Sequence, residues 1–88
     1  MKRYSEIQEL LKEAFLKNLR NARKKAGLSQ KEAADRMGKP QSFIAKIESG
    51  ERKLSPIEIF LLSKIYNVEV GAFFEGMGEV WEREKKKK

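Results

Sequence analysis

Cysteine and histidine are both missing from this 88-residue chain. Without cysteine, disulfides and thiolate metal sites are excluded. Without histidine the commonest general base and metal ligand are gone, leaving only carboxylate, lysine or tyrosine chemistry. No motif gathers a nucleophile, a base and an oxyanion donor, and no metal-ligand cluster stands out. The expectation is a non-enzyme with no cofactor and no metal. Long apolar runs are absent too, since none approaches the ~18 residues that span a bilayer. The opening MKRYSEIQEL carries acids where a secretory leader needs an apolar stretch. A cytoplasmic protein without membrane association is therefore expected. No useful length of strand-like alternation occurs, which predicts an all-α fold, and the length suits one domain.

What the chain does have is positive charge in one place. Its net charge is +7. Residues 1–13 and 55–88 are each balanced, so the whole excess lies in residues 14–54. There Lys17, Arg20, Arg23, Lys24, Lys25, Lys31, Arg36, Lys39, Lys46, Arg52 and Lys53 face only Glu32, Asp35, Glu48 and Glu51. A polyanion would feel that field, because displaced counterions favour its binding. Taken alone, the same charge equally suits a merely soluble basic surface.

Helix punctuation is dense. Ser5-x-x-Gln8, Ser29-x-x-Glu32 and Ser55-x-x-Glu58 have the form of capping boxes. Pro56 follows Ser55 at the first helical position, where a missing N–H costs nothing. Gly27, Gly38 and Gly50 each end an apolar-periodic stretch, as left-handed caps do. The pattern predicts a first helical stretch over about 5–26, either continuous or broken near Lys17–Asn18. Further helices follow over 30–37, 41–49 and 56–66, with a short fifth over 70–74. In the fourth, Ile57, Phe60, Leu61 and Ile65 are the expected core residues, with Ile59 or Leu62. In the fifth, Phe73 and Phe74 press on the core. The division expected is an N-terminal helical extension over 1–13, a main domain over 14–76 and a polar, lysine-rich tail over 77–88.

The informative segment is LSQKEAADRMGKPQSFIAKIESG, residues 28–50. Gly38-Lys39-Pro40 makes a tight corner between two short helices. Ala33 and Ala34 are small enough to let those helices approach closely. At about 100° per residue, Gln41, Ser42, Ala45, Lys46 and Ser49 share one sector, while Phe43, Ile44 and Ile47 lie opposite. Glu48 falls on a flank. The outward sector is short, polar and cationic, with no acid in it. Such a sector is either an ordinary solvated face or one suited to base edges: glutamine for adenine, lysine for guanine, alanine for a thymine methyl.

This segment resembles the phage-repressor/Cro-type helix-turn-helix family, also called the xenobiotic-response-element family. Leu28-Ser29-Gln30, Ala34, Gly38, Ile44, Ile47 and Glu48-Ser49-Gly50 carry the likeness, which extends over about 15–75. It implies a compact five-helix fold that binds double-stranded DNA. It also implies base reading by Gln41, Ser42 and Lys46. Gln30 would contact phosphate and support Gln41, while Ser49, Arg52 and Lys53 would contact the DNA backbone. Arg23 and Glu48 would pair across helices to support the recognition helix, unless Arg23 touches phosphate instead. Pro40 and Phe43 are one variant among several at the start of that helix, with Phe43 either in the core or at the DNA boundary.

By this resemblance the chain is a transcriptional regulator, expected to be a repressor that binds as a homodimer. Two rivals stay open. One is an antitoxin that regulates its own operon, and the other is a protein-interaction module on the same scaffold. In the rivals a protein partner would use the N- or C-terminal extension. There Met77, Val80 and Trp81 either anchor such a partner or belong to a tail that folds back on the domain or stays disordered. Lys85–Lys88 reads as a solvated tail, and the abundance of lysine and glutamate is a compositional hint of a thermophilic source.

Overall fold

A computed structural model describes residues 2–85 of the chain. Five α-helices follow in order: α1 Lys2–Lys25, α2 Gln30–Arg36, α3 Gln41–Glu48, α4 Pro56–Ile65 and α5 Met77–Lys85. A 3-10 turn, Val70–Phe74, lies between α4 and α5. No strand occurs among the described residues.

α1 is a single helix of 24 residues, roughly 36 Å long, in a molecule whose longest extent is 45 Å. It departs from the sequence reading at its start. Ser5 lies inside the helix instead of capping it, because no breaker stands between Lys2 and Ser5 to stop the helix extending. The helix then passes unbroken through Lys17–Asn18, the continuous one of the two forms expected. Asn18 uses its side chain elsewhere: Nδ2 donates to the carbonyls of Phe73 at 2.9 Å and Glu75 at 3.0 Å, fastening the 3-10 turn.

The two other capping boxes form. Ser29 accepts from the Glu32 amide while Glu32 accepts from the Ser29 amide, and Ser55 and Glu58 repeat the exchange at α4. Gly38 ends α2 with φ +68°. Its amide donates to Asp35 O at 3.0 Å and the Lys39 amide to Ala34 O at 2.9 Å. That bond pair defines a Schellman cap and needs a left-handed residue. Gly50 ends α3 in the same left-handed region, at φ +85°, with its amide donating to Ile47 O at 3.0 Å, but under tighter conditions. A Cβ there would lie 3.1 Å from Lys12 Cε and 3.2 Å from Leu16 Cδ1.

The core is built where α1, α3, α4 and the 3-10 turn meet. Leu19, Ile44, Ile47, Leu62 and Phe73 are nearly sealed from solvent, each worth about 1.5–3 kcal/mol of burial. Phe15 and Tyr66 both stand edge-on to Phe73, at 6.4 and 6.3 Å between ring centroids. Ala33 and Ala34 are completely buried between α2 and its neighbours, as their size anticipates.

Expectations change on α4, in the segment over 70–74 and in the C-terminal stretch. On α4, Leu62 and Tyr66 are buried and Ile59 and Ile65 half-buried, but Ile57, Phe60 and Leu61 are exposed at 69%, 49% and 44%. α4 is apolar all round, so periodicity could not choose its inner face. Phe74 is also exposed, tilted against Phe15 at 5.4 Å, and only Phe73 enters the core. The segment over 70–74 is a 3-10 turn and not an α-helix. The fifth α-helix is the stretch 77–85, expected as a polar tail. It restarts after Gly76 (φ +81°) and packs on α1 with Met77 and Val80 half-buried and Glu84 buried. Arg3 of α1 bonds the Glu84 carboxylate and, at 2.8 Å, the Glu84 carbonyl. Lys85 closes α5, and Lys86–Lys88 lie outside the described residues.

Candidate nucleic-acid interface

α2, the Gly38 corner and α3 form a helix-turn-helix in which α3 turns one face inward and the other out. Phe43, Ile44 and Ile47 are buried. Gln41, Ser42, Lys46 and Ser49 are exposed and Ala45 is half-buried. Every residue of the phased outer sector is thus at or near the surface, and no acid joins it. Ser49 Oγ donates to the Lys46 carbonyl at 3.1 Å, closing the end of the helix. Pro40 gives α3 no side-chain cap, unlike the serines of α2 and α4.

The one acid of α3 is drawn inward. Glu48, expected on a flank, is 5% exposed. Arg23 of α1 meets it twice, Nε to Oε2 at 2.6 Å and Nη2 to Oε1 at 3.1 Å. Its remaining nitrogen, Nη1, donates to Leu28 O at 2.9 Å. Gln30 of α2 adds Nε2 to Glu48 Oε1 at 3.0 Å. Arg20 Nη1 donates to the Glu48 carbonyl at 3.1 Å, where the helix presents its negative dipole end. One carboxylate therefore joins α1, α2 and α3. Burial opposes the charge on Arg23, but the Glu48 hydrogen bonds outweigh it and raise the guanidinium pKa further. The Arg23 guanidinium therefore keeps its charge despite its burial.

Arg23 is thus committed to Glu48, and its burial keeps it from an external phosphate. Gln30 spends one donor in the same network. Neither Gln30's link to Glu48 nor Arg20's link to α3 follows from sequence spacing, since each spans 18 or more residues.

The loop after α3 carries Arg52 and Lys53, both exposed. Arg52 forms a fork on Glu58, with both contacts at 3.1 Å, and donates to Lys53 O at 3.0 Å. This fork, followed by the Ser55 amide, holds the Glu58 carboxyl below the ordinary carboxylate range. Arg52 also lies 4.4 Å from the Phe43 ring centroid, with Lys39 Nζ at 5.6 Å from the same ring. Phe43 belongs to the core, and two cations sit over it at the start of α3. Lys39 is a member of this cationic surface that motif reading alone passes over.

A groove of about 600 Å³ runs between the first half of α1, the loop after α3 and the start of α5, lined by Leu11, Lys12, Phe15, Leu54 and Met77 among others. Among the described residues no group of three or more acids is placed to hold a metal ion. Nor, among them, is any helix long and apolar enough to cross a membrane.

A family model described as helix-turn-helix matches residues 19–73, from the last turns of α1 to the 3-10 turn. Searches of curated proteins and of solved structures returned no match. The family match covers more than half of the chain and includes the Glu48 network, the Gly38 corner and the whole of α3. The chain belongs to the helix-turn-helix family of DNA-binding transcription regulators, of the xenobiotic-response-element, Cro/C1 type.

Proposed function

We propose that this protein is a sequence-specific repressor that reads the major groove of double-stranded DNA with α3. Gln41, Ser42 and Lys46 meet base edges, where glutamine suits adenine and lysine suits guanine. Ser49, Arg52, Lys53 and Gln30 lie against the sugar-phosphate backbone and fix the register. Two copies bind a near-palindromic site, their recognition helices about one helical turn, ~34 Å, apart.

One observation carries this reading. α3 presents Gln41, Ser42, Lys46 and Ser49 outward while its single acid is buried and neutralised by Arg23. A merely solvated helix face has no need to hide its carboxylate. A face that approaches phosphates does, because an exposed acid there would repel them.

The test is fluorescence anisotropy with labelled duplex from upstream of the protein's own gene, against random duplex, across a salt series. A preference of roughly 10³-fold or more, reduced by Gln41→Ala/Lys46→Ala, is the expected result. Equal and steeply salt-dependent binding to both duplexes would reject sequence reading at that site.

A further inference from the structure

We infer that the groove between α1, the loop after α3 and α5 binds a small amphiphilic monoanion, an alkyl carboxylate of medium chain length, and that its occupancy weakens the hold on DNA. The effect on DNA rests on the repressor reading; the binding site does not. The matched helix-turn-helix domain does not make this groove by itself. The match spans residues 19–73, while α1 residues from Gln8 to Leu16 and Met77 of α5, which supply most of the lining, lie outside it. The added helices leave the space open: Leu11, Phe15, Leu16, Leu54 and Met77 all line it and are all half-buried. Its volume of about 600 Å³ falls within the ~300–1,000 Å³ of sites that take small molecules. Such sites are mostly apolar, with a few polar groups at fixed places.

Here the polar groups gather at one loop, and their charge selects the head group. Lys12 lies across Gly50, its Cε 3.1 Å and its Nζ 3.4 Å from the place a Cβ would occupy. Its ammonium therefore sits beside the loop that carries Arg52 and Lys53, and all three line the groove. Arg52 is balanced by its fork on Glu58. Lys12 and Lys53 have no ion pair among the described residues, and the acid in the lining is the exposed Glu9. Two ammonium groups against one carboxylate leave a single positive charge uncompensated. A monoanionic head matches it, since a carboxylate there makes charge-assisted hydrogen bonds. An alkyl body matches the rest, because it takes the exposed parts of the apolar lining out of water. A phosphate ester would suit the lysines but not the lining, and a neutral oil the lining but not the lysines.

Lys53 connects the two events. It lines the groove and stands in the loop proposed to meet the DNA backbone. A carboxylate paired with Lys53 removes one phosphate contact and places a negative charge beside the others. The two ligands therefore oppose each other, and by linkage DNA lowers the affinity for the carboxylate by the same factor.

Calorimetric titration of the full chain with decanoate, kept below micelle-forming concentrations, tests the site. Amide shifts of an isotope-labelled sample locate it, and circular dichroism confirms that the variants fold. Saturable one-to-one binding is expected, with the amides of Lys12, Gly50, Lys53 and Met77 moving. Octanoate and then hexanoate should bind more weakly, by roughly fourfold per pair of methylenes lost, the value for a half-buried chain. Lys12→Gln should cost about tenfold for decanoate and nothing for decanol. Met77→Trp, which fills the groove, should abolish binding of both. With decanoate saturating, anisotropy on the upstream duplex should show about tenfold weaker binding, and Met77→Trp should show no such change. Heat that does not saturate, affinity indifferent to chain length, or decanoate binding unaltered in Lys12→Gln and Met77→Trp overturns the site. Saturable binding that leaves DNA affinity untouched overturns the coupling alone. If no duplex is preferred, the repressor reading fails; calorimetry still decides the groove, and the effect of decanoate on random duplex decides the coupling.

Discussion

Arg23 and Glu48 lie side by side inside the protein, joined by contacts of 2.6 and 3.1 Å between a guanidinium edge and a carboxylate. Removing one partner strands the other charge in a space with little water. Arg23→Met is expected to cost about 3–5 kcal/mol, measured by urea unfolding. Arg23→Met/Glu48→Met should recover much of that loss, since well-packed apolar pairs replace buried ion pairs at little cost. A cycle with no coupling energy would mean that the pair does not hold α3 in place.

Gly38 tests the corner of the motif without the complication of space. Nothing lies within 4 Å of a Cβ built there, yet its φ is +68°. Gly38→Ala should therefore lower stability by about 1–2 kcal/mol through backbone strain alone. Gly38→Asn should cost less, because asparagine visits this region readily. Thermal melts of the two variants separate conformational strain from packing.

Burial, with the Glu48 charge adding to it and Arg23 opposing it, pushes the Tyr66 hydroxyl up to about 12 from its ordinary 10.0. A folded-state pKa above the unfolded one means that this stabilisation is complete below pH 10 and is lost as pH rises toward 12. In a Tyr4→Phe background, tyrosinate absorbance should appear near pH 12 or together with unfolding. Tyr66→Phe should flatten the alkaline fall in stability. A Tyr66 that ionises at pH 10 in the folded protein would contradict the burial described here.

Lys53 and Lys46 should behave differently toward DNA. Lys53→Ala should weaken binding to every duplex alike and reduce the salt slope by about one. Lys46→Ala should also relax preference at one base position, at a cost of about 1–3 kcal/mol. If the two variants lose affinity identically across sequences, Lys46 contacts phosphate and not a base.

Much of this arrangement was legible in the sequence, for local reasons. Ser29, Ser55, Gly38 and Gly50 act within a few residues of themselves, so their spacing suffices to locate helix ends. Ser5 misled because a capping box marks a start only where something stops the chain from continuing backward. Asn67 takes the left-handed position after α4 at φ 55°, the place that Gly27, Gly38 and Gly50 fill after the first three helices. α4 could not be phased, since apolar residues surround it. Ser63 completes that difficulty, buried because its hydroxyl donates to Phe60 O at 2.6 Å. The burial of Glu84 could not be read at all, since its partner Arg3 lies 81 residues away.

That last contact has a consequence for how the molecule comes apart. Arg3 and Glu84 close nearly the whole described chain into a ring, and such closure is favourable only while the helices between them are already in place. The clasp is thus among the last contacts to form and the first to yield. Around it, α5 and the opening turns of α1 lie outside the span of the helix-turn-helix match and bury less than the core does. Amide protons of residues 77–85 and of the first turns of α1 should exchange through a shared, low-energy opening. Those of Leu19, Ile44, Leu62 and Phe73 should wait for global unfolding. The protein would then loosen from its two ends at once while the recognition helix keeps its seat.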